Sequence, residues 1–378
     1  MENIKKEKLE FIDYFRGFAI LYIVAGHSLT WGEYLGNIYN LNCYIYTGGT
    51  FLFLFIAGYL FQYLSYKFDY KTYLKKKFLN VILPSWFIIL PGAISLTFFC
   101  NDANNYLFDK NPLVKFLNPF LWGQIVNGPL WYISMITIVF ILSPILIKLF
   151  KNKTLWYSFL ISGIVYTITC YRYSIGFDPT LFANTNVSLI QWNLKWLSLH
   201  LKLVLYFLPT YMLGMTICDL IGKNFSLIKE NSKKLCKIFS LSWFFCYFIL
   251  VCALKLDVPH SSISRIILTF AVLFLFICFE ENIKSIDILH KSLKFLAEYS
   301  FGIFFLHKYF LNLLYHHSLN ELYTKVWYHK FACDSLEAFF TSFGYFVFAI
   351  FGSIIVLYLI KKGLSKIGVK NTRMFIGV

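Results

Sequence analysis

Charged residues are scarce in this chain. Only 14% of its 378 residues are Asp, Glu, Lys or Arg, whereas 58% are hydrophobic. Soluble globular domains carry roughly 25% charged and about 45–50% apolar residues. The sequence also has no polar stretch long enough to fold as a water-soluble domain. We therefore interpret residues 1–378 as a single integral membrane domain in contact with the lipid bilayer.

Several signatures of other protein classes are absent as well. There is no serine nucleophile elbow, phosphate-binding loop or dinucleotide fingerprint. No His, Cys and carboxylate spacing predicts a zinc site, so we expect neither a bound metal nor a bound cofactor. The nine cysteines are scattered and are typical of small packing residues. A disulfide among Cys43, Cys100 and Cys333 is the alternative.

Long apolar runs take the place of these motifs. A membrane-spanning helix needs roughly 20 mostly apolar residues. This criterion predicts an all-α polytopic protein with about ten transmembrane helices, at residues 12–32, 44–65, 79–100, 128–149, 154–172, 201–221, 238–255, 263–279, 299–316 and 336–360.

The distribution of positive charge predicts the orientation of these helices. The net charge is +16. With the N-terminus in the cytoplasm, about 25 of the 35 Lys and Arg residues fall on the inner side and about ten on the outer side. We therefore predict that both ends are cytoplasmic. This bias explains the net charge without a nucleic-acid partner.

The first predicted helix contains three ionisable residues, Asp13, Arg16 and His27. Ionisable side chains are costly inside a membrane and are functional candidates by default. At 100° per residue, Arg16 and His27 lie within about 20° of one helix face, and they are separated by about 16 Å along the axis. Asp13 lies within about 60° of Arg16.

This stripe of side chains could contact the two ends of one elongated ligand. Arginine binds phosphate through its planar fork, and histidine is the usual general base near neutral pH. A cytosolic acyl-coenzyme A would place phosphates near Arg16 and its thioester near His27. The alternative is structural: Asp13 and Arg16 form an interfacial pair, and His27 bonds to another helix.

Four segments resemble a known family. They are FIDYFRGFAILYIVAGHSL at 11–29, GGTFLFLFIAGYLF at 48–61, GPLWYIS at 128–134 and EYSFGIFFLHKYF at 298–310. In this order they resemble the acyltransferase 3 family, whose members O-acylate surface glycans, mostly in bacteria. In that family the first helix carries an Arg, ten intervening residues and a His, as Arg16 and His27 do here.

The resemblance implies a membrane O-acyltransferase in the plasma membrane, that is, the bacterial inner or cytoplasmic membrane. It would transfer an acyl group, most simply acetyl from acetyl-CoA, to a hydroxyl of a surface glycan or a lipid-linked saccharide. His27 and His307 are then the expected catalytic residues. Tyr299 and Trp131 are expected on the acceptor side, and glycan-synthesis proteins are possible partners.

The expected donor-binding residues are Arg16, Lys76, Lys77 and Asp13. One of them departs from the family pattern, which has Arg-x-x-Arg before a proline at the third helix. Here Lys77 stands at the first arginine, Asn80 replaces the second, and the spacing to Pro84 is one residue longer. Lysine attracts phosphate as a point charge without bidentate geometry.

Two other functions are compatible with the sequence. A polysaccharide exporter or secondary transporter would also be polytopic, although such proteins often show repeated halves with broken helices, which are not detectable here. A structural subunit of a glycan-synthesis complex would be expected if Asn80 abolished donor binding. Binding of coenzyme A discriminates these alternatives from the enzyme.

Overall fold

The computed structural model describes residues 9–29, 44–98, 112–123, 131–170, 189–249, 262–317 and 336–378. Within these ranges the chain is helical and contains no strand, which confirms the all-α prediction. The alternative disulfide among Cys43, Cys100 and Cys333 lies outside the described residues. The helices are α1 Glu10–Ser28, α2 Gly49–Leu64, α3 Tyr70–Lys77, a π-helix Phe78–Ile82, α4 Leu83–Phe98, α5 Pro112–Trp122, α6 Trp131–Ile141, α7 Ser143–Lys151, α8 Lys153–Thr169, α9 Leu189–Tyr247, α10 Ser262–Cys278, α11 Glu280–Ser285, α12 Asp287–His317, α13 Leu336–Lys366 and α14 Arg373–Ile376.

At least four described helical segments are long and apolar enough to cross a membrane. They are Tyr44–Lys67, Tyr70–Ile94, Asn193–Tyr247 and Ser342–Lys366. A fifth arises if α6 and α7, which meet at a 53° bend, form one broken span. The bend interrupts the predicted span 128–149 near Pro144, which has no N–H to continue the helical ladder. The membrane character is supported, whereas ten spans and the inward orientation of both ends stay predictions.

Helix α9 contains the predicted span 201–221 and the first ten residues of the predicted span 238–255. It runs for 59 residues and is broken by non-helical angles at Asn224 (φ −134°, ψ 34°). Phe207 packs on Phe51 at a ring distance of 5.2 Å, and Trp243 stacks on Tyr44 at 5.1 Å. A straight helix would separate Phe207 from Trp243 by about 54 Å. Phe51 and Tyr44 are only seven residues apart, at and just before the start of α2, so the chain reverses its direction near Asn224.

Helix α1 lies at the centre of the fold. It packs against α2, α10, α12 and α13, and most of its side chains are buried. Its closest neighbour is α12. A side chain at Gly17 would collide with the backbone of Leu293, so glycine allows the two helices to approach at this point. This contact holds α1 against α12 at a position between Arg16 and His27.

Candidate active site

Two parallel helices, α1 and α12, carry the candidate site. Arg16 donates to the carbonyl of Ala297, and His27 is hydrogen-bonded to His307. Arg16 and His27 are eleven residues apart on α1, and their partners Ala297 and His307 are ten residues apart on α12. The pairing confirms that Arg16 and His27 face the same way, and it places the two contacts about 16 Å apart along the axis.

The first contact is a histidine pair. Nδ1 of His27 lies 2.8 Å from Nε2 of His307. The His307 ring is fully buried, and its Nδ1 lies 3.0 Å from the carbonyl oxygen of Ile303. A carbonyl only accepts, so Nδ1 of His307 carries the hydrogen. In the neutral pair, Nε2 of His307 is therefore the acceptor, and Nδ1 of His27 is the donor.

This chain of hydrogen bonds determines the chemistry of His27. With its hydrogen on Nδ1, the neutral imidazole of His27 carries its lone pair on Nε2. The His27 side chain is only partly buried, whereas His307 is inaccessible. The arrangement resembles the oriented imidazole of a nucleophile–base–orienter system, in which the second group fixes the tautomer of the first. His27 is suited to act as a base and His307 to orient it.

The segment that precedes α2 packs beside His27. Gly26 of α1 lies against the backbone carbonyl of Tyr46, and this segment is held by Arg265 of α10. The Arg265 side chain is 2% exposed, and its guanidinium donates to the carbonyl of Tyr44 and to the hydroxyl of Thr47. The sequence did not assign Arg265 to the site. Its signal was a rare arginine inside an apolar segment.

The second contact lies beside an open cleft of about 610 Å³. Nε of Arg16 lies 3.0 Å from the carbonyl oxygen of Ala297, and Nη2 donates to the same oxygen. A guanidinium has five N–H donors, so three remain for other partners. Asp13 lies one turn before Arg16 on α1 and lines the same cleft. The cleft is lined by Asp13, Arg16, Asp287, His290, Lys291, Lys294, Phe295, Ala297 and Glu298.

An ion pair and a hydrogen bond connect α1 to α12 beside this cleft. Nζ of Lys294 lies 2.7 Å from a carboxylate oxygen of Glu10, and the Tyr14 hydroxyl lies 2.6 Å from Nδ1 of His290. The hydrogen bond from Lys294 holds the pKa of Glu10 below its ordinary value. These contacts fix the two helix ends that form the cleft.

The predicted lysines lie outside the described lining of this cleft. Nζ of Lys77 lies 5.4 Å from the ring centroid of Tyr73 and 4.7 Å from that of Phe140, and Lys76 is exposed. The π-helix Phe78–Ile82 follows directly. A π-helical turn accommodates an extra residue within an α-helix and is frequent at functional sites. It therefore explains the extra residue between Lys77 and Pro84.

The two residues expected on the acceptor side lie apart. Tyr299 stacks on Phe295 at 4.4 Å beneath the ammonium of Lys361, about 12 Å before His307 along α12. It therefore lies level with Ala297 rather than with the histidine pair. Trp131 stacks on Phe207 at 5.5 Å, one residue before Tyr132. The Tyr132 ring contacts Phe304, which contacts His307.

The family match includes both helices that carry this site. Residues 9–362 match the Acyl_transf_3 family, which is described as an acyltransferase domain. The chain belongs to the acyltransferase 3 family. It is accordingly an acyltransferase with membrane-spanning helices, and the match covers nearly the whole chain. No curated protein and no solved structure matches it.

The described residues include no group of three or more His, Cys, Asp or Glu side chains that could hold a metal ion.

Proposed function

We propose that this acyltransferase moves an acyl group, most simply acetyl, from acyl-CoA to a hydroxyl of a surface glycan or lipid-linked saccharide. The membrane would be the bacterial cytoplasmic membrane, with the donor entering from the cytoplasm. Proteins of glycan synthesis are candidate partners. The proposal is carried by one observation, the hydrogen bond between His27 and His307 on the same helix pair that holds Arg16.

The proposed donor lies along α1. Its phosphates lie at Arg16, Lys76 and Lys77, where Asp13 orients the Arg16 guanidinium. An elongated arm then extends toward His27, about 16 Å away along the helix axis. The distance between the charged end and the base favours a donor whose reactive group is far from its phosphates.

The proposed reaction begins at Nε2 of His27. This nitrogen takes the proton of the acceptor hydroxyl while the oxygen attacks the thioester carbonyl. Nδ1–H of the resulting imidazolium remains bonded to Nε2 of His307, which stabilises the positive charge. Collapse of the tetrahedral intermediate breaks the C–S bond, and the leaving thiolate takes the proton from His27. The products are the O-acyl acceptor and free coenzyme A.

The test is acyl transfer by purified protein in detergent. Radiolabelled acetyl-CoA is incubated with wild type, His27→Ala and Arg16→Ala, and folding is checked by thermal unfolding. A general base contributes about 10²–10⁴-fold, so His27→Ala should lose nearly all transfer. Arg16→Ala should weaken donor binding.

Two outcomes would contradict the proposal. Transfer by His27→Ala at the wild-type rate would remove His27 from the mechanism. Absence of both coenzyme A binding and turnover, from protein shown to be folded, would favour an exporter or a structural subunit.

A further inference from the structure

A segment that follows the last long helix packs back onto the membrane helices. Residues 372–378 include the short helix α14, which contacts the π-helix and α4. The Phe375 ring lies 5.3 Å from that of Phe87. On the other side, Gly377 abuts the Phe301 ring of α12, and its φ of 75° favours glycine.

The segment is anchored by its own apolar residues. Ile376 is 4% exposed and Val378 is 8% exposed. The Thr372 hydroxyl donates to the Val378 carbonyl at 2.7 Å, which closes the segment into a hook. The sequence predicted only that this end of the chain is cytoplasmic. The hook lies beyond residues 9–362, the range matched by the family.

The hook brings a third cation to the donor end of the site. Arg373 is exposed and is the first residue of α14, which contacts the π-helix that directly follows Lys77. At the other end of α14, Gly377 abuts Phe301, which lies one turn after Ala297, the residue that accepts from Arg16. We call Arg16, Lys77 and Arg373 the cation cluster. In the described part of the chain, neither Lys77 nor Arg373 has a hydrogen bond or ion pair with a carboxylate. The nearby π-helix contributes only the neutral Asn80.

Three carboxylates, those of Asp13, Asp287 and Glu298, line the cleft with Arg16. Glu298 pairs with Lys361 at 2.7 Å, and Asp287 pairs with Lys291 at 2.6 Å. Cations that are brought together repel one another unless an anion lies between them. Arg373 begins α14 and Lys77 ends α3, so the two residues come from different elements. These elements approach each other where α14 contacts the π-helix. The fold therefore places positive charge together where a multiply charged anion would relieve the repulsion.

We propose that Arg373 is a binding residue for a phosphate group of the donor and completes the cation cluster with Arg16 and Lys77. This assignment rests on the proposed function, because it takes acyl-CoA as the anion. Arginine suits the role through its fork of N–H donors. An anionic lipid headgroup carries the same chemistry, so the experiment separates the two sources.

The test compares Arg373→Gln with Lys370→Gln, which removes an exposed positive charge three residues away. Affinities for coenzyme A and for pantetheine, which lacks the phosphates, are measured by calorimetry in phosphatidylcholine nanodiscs. Loss of a charge-assisted hydrogen bond should weaken coenzyme A binding about tenfold or more in Arg373→Gln. Arg373→Lys should lie between this variant and wild type. Lys370→Gln should bind like wild type, and no variant should change pantetheine binding.

Equal coenzyme A affinities for Arg373→Gln and Lys370→Gln would overturn the proposal. If wild type fails to bind coenzyme A, the donor assignment fails, and the variants are titrated with inorganic pyrophosphate. Weaker pyrophosphate binding by Arg373→Gln alone would retain the cation cluster as an anion site, and equal binding would reject it. An Arg373 dependence seen only for phosphatidylglycerol, counted by native mass spectrometry, would assign the site to lipid and overturn its role with the donor.

Discussion

Replacing His307 by leucine removes the acceptor of the His27 Nδ1–H bond. The buried position is then filled by an apolar side chain. The bond is 2.8 Å long, and His307 is itself fixed by the Ile303 carbonyl at 3.0 Å. The variant therefore loses the hydrogen bond that fixes the tautomer and orientation of His27. The charged imidazolium formed during the reaction also loses this acceptor.

The size of the effect follows from the bond that is lost. A hydrogen bond to a charged group contributes about 1.5–3 kcal/mol. At 1.36 kcal/mol for each factor of ten in rate, kcat should fall about 10- to 150-fold. His307→Gln offers a carboxamide oxygen as a substitute acceptor and should recover part of this loss.

The assay is the rate of labelled acetyl transfer at saturating acetyl-CoA, with His200→Leu as the matched control. His200 is also fully buried, and its Nδ1 lies 2.9 Å from the carbonyl of Trp196, four residues earlier. Replacing His200 therefore also removes a buried histidine, but one that is not hydrogen-bonded to His27. A similar fall in kcat for His307→Leu and His200→Leu would refute the orienting role of His307, as would an unchanged rate in His307→Leu.

Two further predictions concern packing. Gly17→Ala should destabilise the protein by about 1–3 kcal/mol, because the added methyl group meets the backbone of α12. Gly363→Ala, whose methyl group would enter open space, should leave the melting temperature nearly unchanged, and equal effects would contradict the close approach of α1 and α12. Arg265→Lys should cost about 1–3 kcal/mol, because one ammonium cannot replace the guanidinium at both of its acceptors. An unaltered melting temperature in detergent would show that these two bonds do not hold the segment before α2.

Much of the fold follows from sequence patterns. Low charge and long apolar runs predicted an all-helical membrane protein. Helical periodicity placed Arg16 and His27 on one face, and both contact α12. Such patterns reflect local geometry and solvation, which depend on residues close together in the chain.

Contacts between distant segments could not be predicted in this way. Periodicity gives the face of a helix but neither its partner nor its register, so the bond between His27 and His307 was not foreseen. Tyr299, which was expected on the acceptor side, illustrates the same limit. In the structure it lies level with Ala297, beneath Lys361.

Short irregular elements were the other limit. The extra residue before Pro84 suggested a departure from the family pattern, and a π-helical turn accommodates it. Arg373 belongs to a segment whose composition resembles a solvated tail. Its position depends on apolar contacts of Phe375 and Ile376 with helices that are distant in sequence.

The central claim is that His27 acts as the base of acyl transfer and that His307 acts through it. The most direct test is the rate of acetyl transfer by wild type, His27→Ala and the double variant His27→Ala/His307→Leu. Residues that act as a unit are strongly non-additive. We predict a fall of about 10²–10⁴-fold in His27→Ala and no further loss in the double variant. A wild-type rate in His27→Ala, or a second loss of similar size in the double variant, would contradict the account.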